Sequence, residues 1–196
     1  MGKIYYLMGK SSSGKDTIYR ELIENEKLSL KTILGYTTRP IREGEKEGVE
    51  YHFVSHNEML EMESKGEVIE RRSYNTIHGV WSYFTAIDSQ VNLKDNRYLL
   101  IGTLEAYKKV RDYYGEKNVV PLYIEVDDGT RLMRALLREK QQEVPKYAEM
   151  CRRFLADSED FSEDKIQECN INKRYVNDDM NKCIQEIIKD IEENYG

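Results

Sequence analysis

Apolar residues along this 196-residue chain fall into two kinds of run. Short continuous runs at 3–8, 97–101 and 119–126 have the length and the aromatic and β-branched content of buried strands. Pro121, which cannot donate to a ladder, must then lie near a strand's start or edge. Longer stretches repeat apolar residues every three or four positions, and the spacing predicts helices over 15–26, 103–114, 130–139 and 180–193. The last is the clearest, with Met180, Cys183, Ile184, Ile187, Ile188 and Ile191 on one stripe. Strand and helix alternate. That alternation predicts an α/β fold of three layers, α/β/α, around a parallel core sheet.

Residues 35–95 break the rhythm. Glu50–Val54 and Glu67–Ser73 alternate like small antiparallel strands, and Ser55-x-x-Glu58 between them has the form of a capping box at a helix start. This segment reads as a lobe inserted into the core made of 1–34, 96–138 and 149–196. A second irregular stretch, 139–148, carries Lys140, Gln141, Gln142, Pro145 and Lys146 between two helices, a composition suited to a lid. There is no internal repeat and no low-complexity tract.

With 39% hydrophobic and 34% charged residues, the composition is that of a globular domain with a well-hydrated surface. A formal charge of −6 and a pI near 5.3 leave no domain-wide basic face, which argues against a nucleic-acid partner. Arginine clusters in such a chain mark particular anion sites. Cys151, Cys169 and Cys183 are odd in number and at no metal-ligand spacing, so they read as reduced thiols, with Cys183 buried on its helix stripe. The apolar run at the amino terminus is too short for a secretory signal, and no run approaches the roughly twenty residues of a membrane span. The expectation is a cytoplasmic protein.

The first apolar run leads into Gly9-Lys10-Ser11-Ser12-Ser13-Gly14-Lys15-Asp16-Thr17 and then into a helical pattern. Ser-Ser-Ser-Gly alone would pass for a solvated linker. Between a strand and a helix, G-x-x-x-x-G-K instead forms a loop whose backbone N–H groups converge on an anion, helped by the partial positive charge of the helix start. Lys15 then reaches the β- and γ-phosphates of a nucleoside triphosphate. The hydroxyl that usually follows the lysine is replaced by Asp16, with Thr17 one later. A carboxylate there can stand in a magnesium ion's outer shell or help start the helix.

A second basic block, Thr37-Thr38-Arg39-Pro40-Ile41-Arg42-Glu43-Gly44-Glu45, precedes Tyr51-His52-Phe53-Val54. Pro40 and Gly44 forbid a continuous helix, so Arg39 and Arg42 can converge on one phosphate from a turn. Planar guanidinium forks suit that task, and Glu45 can orient one of them from behind.

The phosphate loop, the T-T-R-x-x-R-x-G-E block and the downstream Tyr-x-Phe-Val together resemble the guanylate kinase family, and the likeness extends through Val68-Ile69-Glu70, His78-Gly79, Arg152-Arg153 and Val176-Asn177-Asp178-Asp179. The resemblance implies a P-loop NTPase fold, a nucleoside-monophosphate lobe at 35–95 and a lid at 139–148. It implies transfer of ATP's γ-phosphate to GMP, with magnesium carried on ATP and no direct protein ligand to it. Residues 9–17 and Asn177 would bind ATP, Asn177 near the donor base. Arg39, Arg42 and Tyr51, backed by Glu45, would hold the acceptor phosphate, with His78 and Gly79 beside them. Glu70 matches the acid that accepts hydrogen bonds from guanine. Arg134, Arg138 and Arg153 would neutralise the moving phosphoryl group together with Lys15.

Three departures concern the base. Val80 stands where the family has a hydroxyl, Gly35 where a serine is common, and Ile101-Gly102-Thr103 where it has an acid-x-Asp stretch. The start of the chain and Ile101-Gly102-Thr103 also resemble ribosyl-bisphosphate phosphokinases, which leaves a different small-molecule acceptor as an alternative. A non-catalytic guanylate-kinase-like scaffold is a second alternative, and a P-loop enzyme acting on water a third. The sequence leaves monomer and homodimer both open.

Overall fold

Every residue of Ile4–Met8 is buried, and its two faces feed two different cores. Ile4, Tyr6 and Met8 pack with Leu104, Tyr107 and Val110, whereas Tyr5 and Leu7 pack with Ile18, Leu22, Ile184 and Ile187. A strand apolar on both faces needs a helix layer on each side, the arrangement of a covered parallel sheet. The computed structural model describes residues 2–42, 44–76, 79–87 and 91–193. In chain order the strands are β1 (Ile4–Met8), β2 (Leu30–Thr32), β3 (Tyr36–Thr37), β4 (His52–Phe53), β5 (Val68–Thr76), β6 (Gly79–Ala86), β7 (Arg97–Ile101), β8 (Val119–Glu125) and β9 (Arg174–Val176). The helices are α1 (Lys15–Glu24), α2 (His56–Ser64), α3 (Leu104–Tyr114), α4 (Asp128–Lys140), α5 (Tyr147–Asp160), α6 (Glu163–Glu168) and α7 (Met180–Glu193).

The core sheet runs β2-β7-β1-β8-β9, all parallel, as the alternating pattern requires. Pro121 sits inside β8 opposite Tyr6 of β1, but β9 begins its pairing only at Tyr123. On that side the proline is locally an edge residue, so its missing N–H costs no ladder bond. β2 and β9 have three residues each and carry no periodicity of their own. They form because the finished sheet offers them an edge.

The inserted lobe is a four-stranded sheet of order β4-β3-β6-β5, built on the β5–β6 hairpin. Of the stretch 50–54, two residues are strand, while the second expected strand extends to Thr76. The capping box closes as its residues require: the Glu58 N–H donates to Ser55 Oγ at 3.2 Å and the Ser55 N–H to Glu58 Oε2 at 2.6 Å. α4 continues to Lys140 and α5 starts at Tyr147, so the irregular connection is 141–146, shorter than the sequence pattern implied. The Glu139 carboxylate accepts from the backbone N–H of Lys146 and ties the two ends of that connection together. All three cysteines are free thiols, with Cys169 and Cys183 buried and Cys151 exposed. Among the described residues no helix is long and apolar enough to cross a membrane.

Candidate functional site

The glycine-bounded loop leaves β1 at Gly9 and enters α1 through Gly14. Gly14 has φ +86, a left-handed conformation, and a Cβ there would stand 2.6 Å from Asn177 Nδ2. A side chain is excluded twice over, by strain and by space. Asn177 is fully buried; its amide donates to Ser13 O at 2.7 Å, and its own backbone N–H donates to Glu125 O at 2.9 Å. It clamps the loop from behind and is not among the residues lining the two cavities beside the loop. Lys15 and Asp16 open α1 and face the cleft, with Asp16 exposed in the first turn.

Arg131, which the sequence pattern did not single out, braces the same loop. Its side chain is 1% exposed and donates to Ser11 O at 3.0 Å. Nε and a terminal nitrogen also donate to Asp128 Oδ1 at 3.0 and 2.7 Å, and the guanidinium lies 4.7 Å from the centre of the Phe154 ring. Burial opposes ionisation of Asp128, yet the bonds from Arg131 and Lys10 hold its carboxyl below the usual range. From α5, Asp157 accepts the Ser11 N–H at 2.7 Å, and Arg153 donates to Ser11 Oγ at 3.3 Å. Arg134 is turned to the back of the loop, donating to Asn177 O at 3.1 Å. Arg138 lines the cavity between α4 and α5 together with Arg131, as helical spacing along one face allows.

The arginine block divides its labour. Arg39 is buried (4% exposed) and forms a paired contact with Glu45, both N···O distances 2.6 Å, while stacking on Tyr51 and Phe53 with centroid distances of 5.3 Å. It holds the turn. The Arg42 N–H adds a bond to Glu45 at 2.9 Å, which leaves the exposed Arg42 side chain to line the cleft with Lys15 and Tyr51. The bonds from Arg39, with those from Arg42, hold the Glu45 carboxyl down to about 2 from 4.5. A folded-state value below the unfolded one contributes stability above pH 4.5, and that contribution is lost as pH falls through about 2. Glu45→Gln is therefore expected to be less stable than the parent near neutral pH, with the gap narrowing on acidification. Urea midpoints measured across that range check it, and a constant gap would contradict it.

Two cavities meet at the loop. One, of about 860 Å³, lies between the core and the inserted lobe; the other, of about 780 Å³, lies under α4 and α5. Ser11, Asp16, Arg42, Glu149 and Arg153 belong to the walls of both. Lys15, Arg42, Tyr51 and Arg153 are thus brought together, while Arg39 and Glu45 stand behind them. Glu70 is also absent from the wall: it is buried and bonded to Thr85 and Arg72, and Arg72 takes its place facing the cleft. Gly79 and Val80 lie exposed where β6 begins and line neither cavity. His78 lies outside the described residues.

The glycines at 35 and 102 differ physically. A Cβ on Gly102 would stand 2.1 Å from the hydroxyl of Tyr6, which is buried and packed edge-on against Tyr107. A Cβ on Gly35 would meet Phe84 O and Tyr51 at 3.6 Å, an ordinary contact. Tyr6 therefore excludes any side chain at 102, the middle position of the Ile101-Gly102-Thr103 stretch, whereas a serine at 35 fits. Gly102→Asp is expected to cost about 1–3 kcal/mol from overpacking, and Gly35→Ser to leave the urea midpoint unchanged. Equal midpoints for the two variants would contradict this reading.

The guanylate kinase family model matches residues 1–194. Among curated relatives, the guanylate kinase of Malacoplasma penetrans is 36% identical over 138 residues, covering 70% of this chain and 58% of that protein. The guanylate kinase of Anaplasma phagocytophilum is 36% identical over 97 residues, covering 49% of this chain and 42% of that one. The matched stretches thus span less than two thirds of these relatives. The crystal structure of the Anaplasma phagocytophilum guanylate kinase superposes with a TM-score of 0.64 at 21% identity, covering 97% of this chain and 85% of that one, which supports the shared fold.

Proposed function

This chain belongs to the guanylate kinase family, and on that premise we propose that it transfers the γ-phosphate of ATP to GMP, giving ADP and GDP. One observation carries the reading: the cleft between the core and the inserted lobe, lined by Lys15, and the cavity under α4 and α5 adjoin at the phosphate loop, with Ser11, Arg42 and Arg153 in the walls of both. Two anions held from opposite sides meet there. The acceptor phosphate has a second pKa of about 6 and is mostly ionised near neutral pH, so it needs no general base. What remains is alignment and neutralisation of the charge that shifts during transfer.

The loop amides and Lys15 hold the donor phosphates; Arg42 and Tyr51 hold the acceptor, on a turn fixed by the Arg39–Glu45 pair. Arg131 acts on the donor side by holding the Ser11 carbonyl, which keeps the loop amides facing the phosphates. Magnesium favours octahedral oxygen coordination, keeps several waters and asks for one or two carboxylates beside the phosphates. The exposed Asp16 in the first turn of α1 fits that demand through a water, while Lys15 and the amides make the direct contacts. The metal would neutralise phosphate charge.

A coupled assay of ADP release with GMP, dGMP, AMP, CMP and UMP tests the proposal. Turnover with preference for the guanine nucleotides is expected. ADP release that needs no acceptor would make the protein an ATPase, and turnover of ribosyl bisphosphate without GMP would make it a sugar-phosphate kinase.

A further inference from the structure

Glu70 and Arg72 lie two residues apart on β5, so both side chains leave the same face of the hairpin. Glu70 is enclosed, with 3% of its side chain exposed. Its carboxylate accepts the Thr85 hydroxyl at 2.8 Å, Arg72 Nε at 3.1 Å and a terminal Arg72 nitrogen at 3.3 Å. Arg72 also donates to Thr103 Oγ1 at 3.3 Å. Burial works against the charge on Arg72, but Glu70 together with Tyr6 and Tyr74 holds the guanidinium above its ordinary value. Arg72, not Glu70, lines the open space beside the hairpin. It stands in the wall of the large cleft and of a side pocket of about 300 Å³, and Tyr74, Thr103 and Asp160 share that position.

These contacts use three of the guanidinium's five N–H groups, leaving two for a bound group at the junction. The Glu70–Arg72 pair has no net charge, and the side pocket places Glu105, Asp160 and Glu168 against Lys108 and Lys165. A second phosphate has no surplus cation there. A neutral heterocycle presenting hydrogen-bond acceptors does fit, and guanine offers such an edge in O6 and N7. Adenine would set its amino group against the guanidinium, donor against donor.

We propose, resting on the phosphotransfer reading above, that Arg72 is the residue that reads the acceptor base, donating to the 6-oxo edge of guanine, and that Glu70 is a positioning residue for Arg72. The hydroxyl missing at Val80 and the acids missing at Ile101 and Thr103 then leave the base to one guanidinium on β5. Glu70 contributes by fixing the plane of that fork.

The test compares GMP with the ribotide of 2-aminopurine, which lacks the 6-oxo group, by kcat/KM with saturating ATP. In the parent the ratio is expected to favour GMP by about 10- to 100-fold, the worth of one paired base contact. Arg72→Met would strand a buried carboxylate, so the removal is made in Glu70→Leu/Arg72→Met, where loss of both charges spares the fold. There the ratio is expected to collapse towards one. Glu70→Gln retains an acceptor for Arg72 and is expected to keep most of the ratio. If Glu70→Gln abolishes it as fully as the double variant, Glu70 reads the base and the inference is overturned. It is equally overturned if the double variant keeps the parent's ratio. If no nucleotide is phosphorylated by any of these proteins, the phosphotransfer reading itself fails.

Discussion

Lys15→Met is expected to lower kcat by about 100- to 1,000-fold, the usual consequence of removing one fixed charge donor from a transferring group. Lys15 begins α1 directly after Gly14, whose left-handed backbone favours glycine and where a Cβ would meet Asn177. Its main chain is therefore held by the loop, and only the ammonium is lost on substitution. Methionine keeps the length and apolar body of the stem, so the fold should survive. Asn177, Arg131 and Asp157 brace the loop from three directions without using the Lys15 side chain. The signature to seek is a large fall in kcat with an unchanged unfolding midpoint. A variant with near-parental kcat would remove Lys15 from the reaction.

Arg42→Met is expected to raise KM for GMP by about 10- to 100-fold, the value of a charge-assisted hydrogen bond to phosphate. KM for ATP should move far less. The pair Arg39 and Arg42 makes a useful contrast, because the two residues share a motif but occupy different environments. Arg39 is buried against Glu45 and two aromatic rings, so its removal strands a carboxylate and unsettles the turn. Arg42 is exposed and contributes its backbone to the same Glu45, so its side chain can be truncated while the turn stays closed. Steady-state kinetics with each substrate varied in turn separates the cases. A similar rise in both KM values after Arg42→Met would contradict an acceptor-side role.

The parts of this site that could be read from sequence are those where one residue type is demanded locally. Gly9, Gly14 and Lys15 follow from strand, loop and helix in succession, and Pro40 and Gly44 mark the turn that carries Arg39 and Arg42. What could not be read depends on which face of an element meets which neighbour. Arg131, Arg134 and Arg138 all lie on α4, and a pattern alone gives no reason to prefer one. Packing against Ser11 and Phe154 selects Arg131, while Arg134 turns to Asn177. Arg72 was hidden by a related difficulty. The register of β5 against β6 shifts between Val68 and Glu70, so side-chain parity through this stretch cannot be counted from the strand's start. Asn177 was legible as part of a motif but not as a buried clamp, since its partners Ser13 and Glu125 come from distant segments.

The central claim is that two phosphate-holding sites meet around Arg42 and Arg153 with Lys15 on the donor side. An adenosine and a guanosine joined through five phosphates reports on that directly, because it must fill both cavities at once. Its affinity, measured by calorimetry, is expected to exceed that of ATP or GMP alone by about 100-fold or more, as joining two ligands across connected sites allows. Its binding should also exclude both nucleotides. An affinity no better than that of ATP, with GMP still able to bind, would contradict the account.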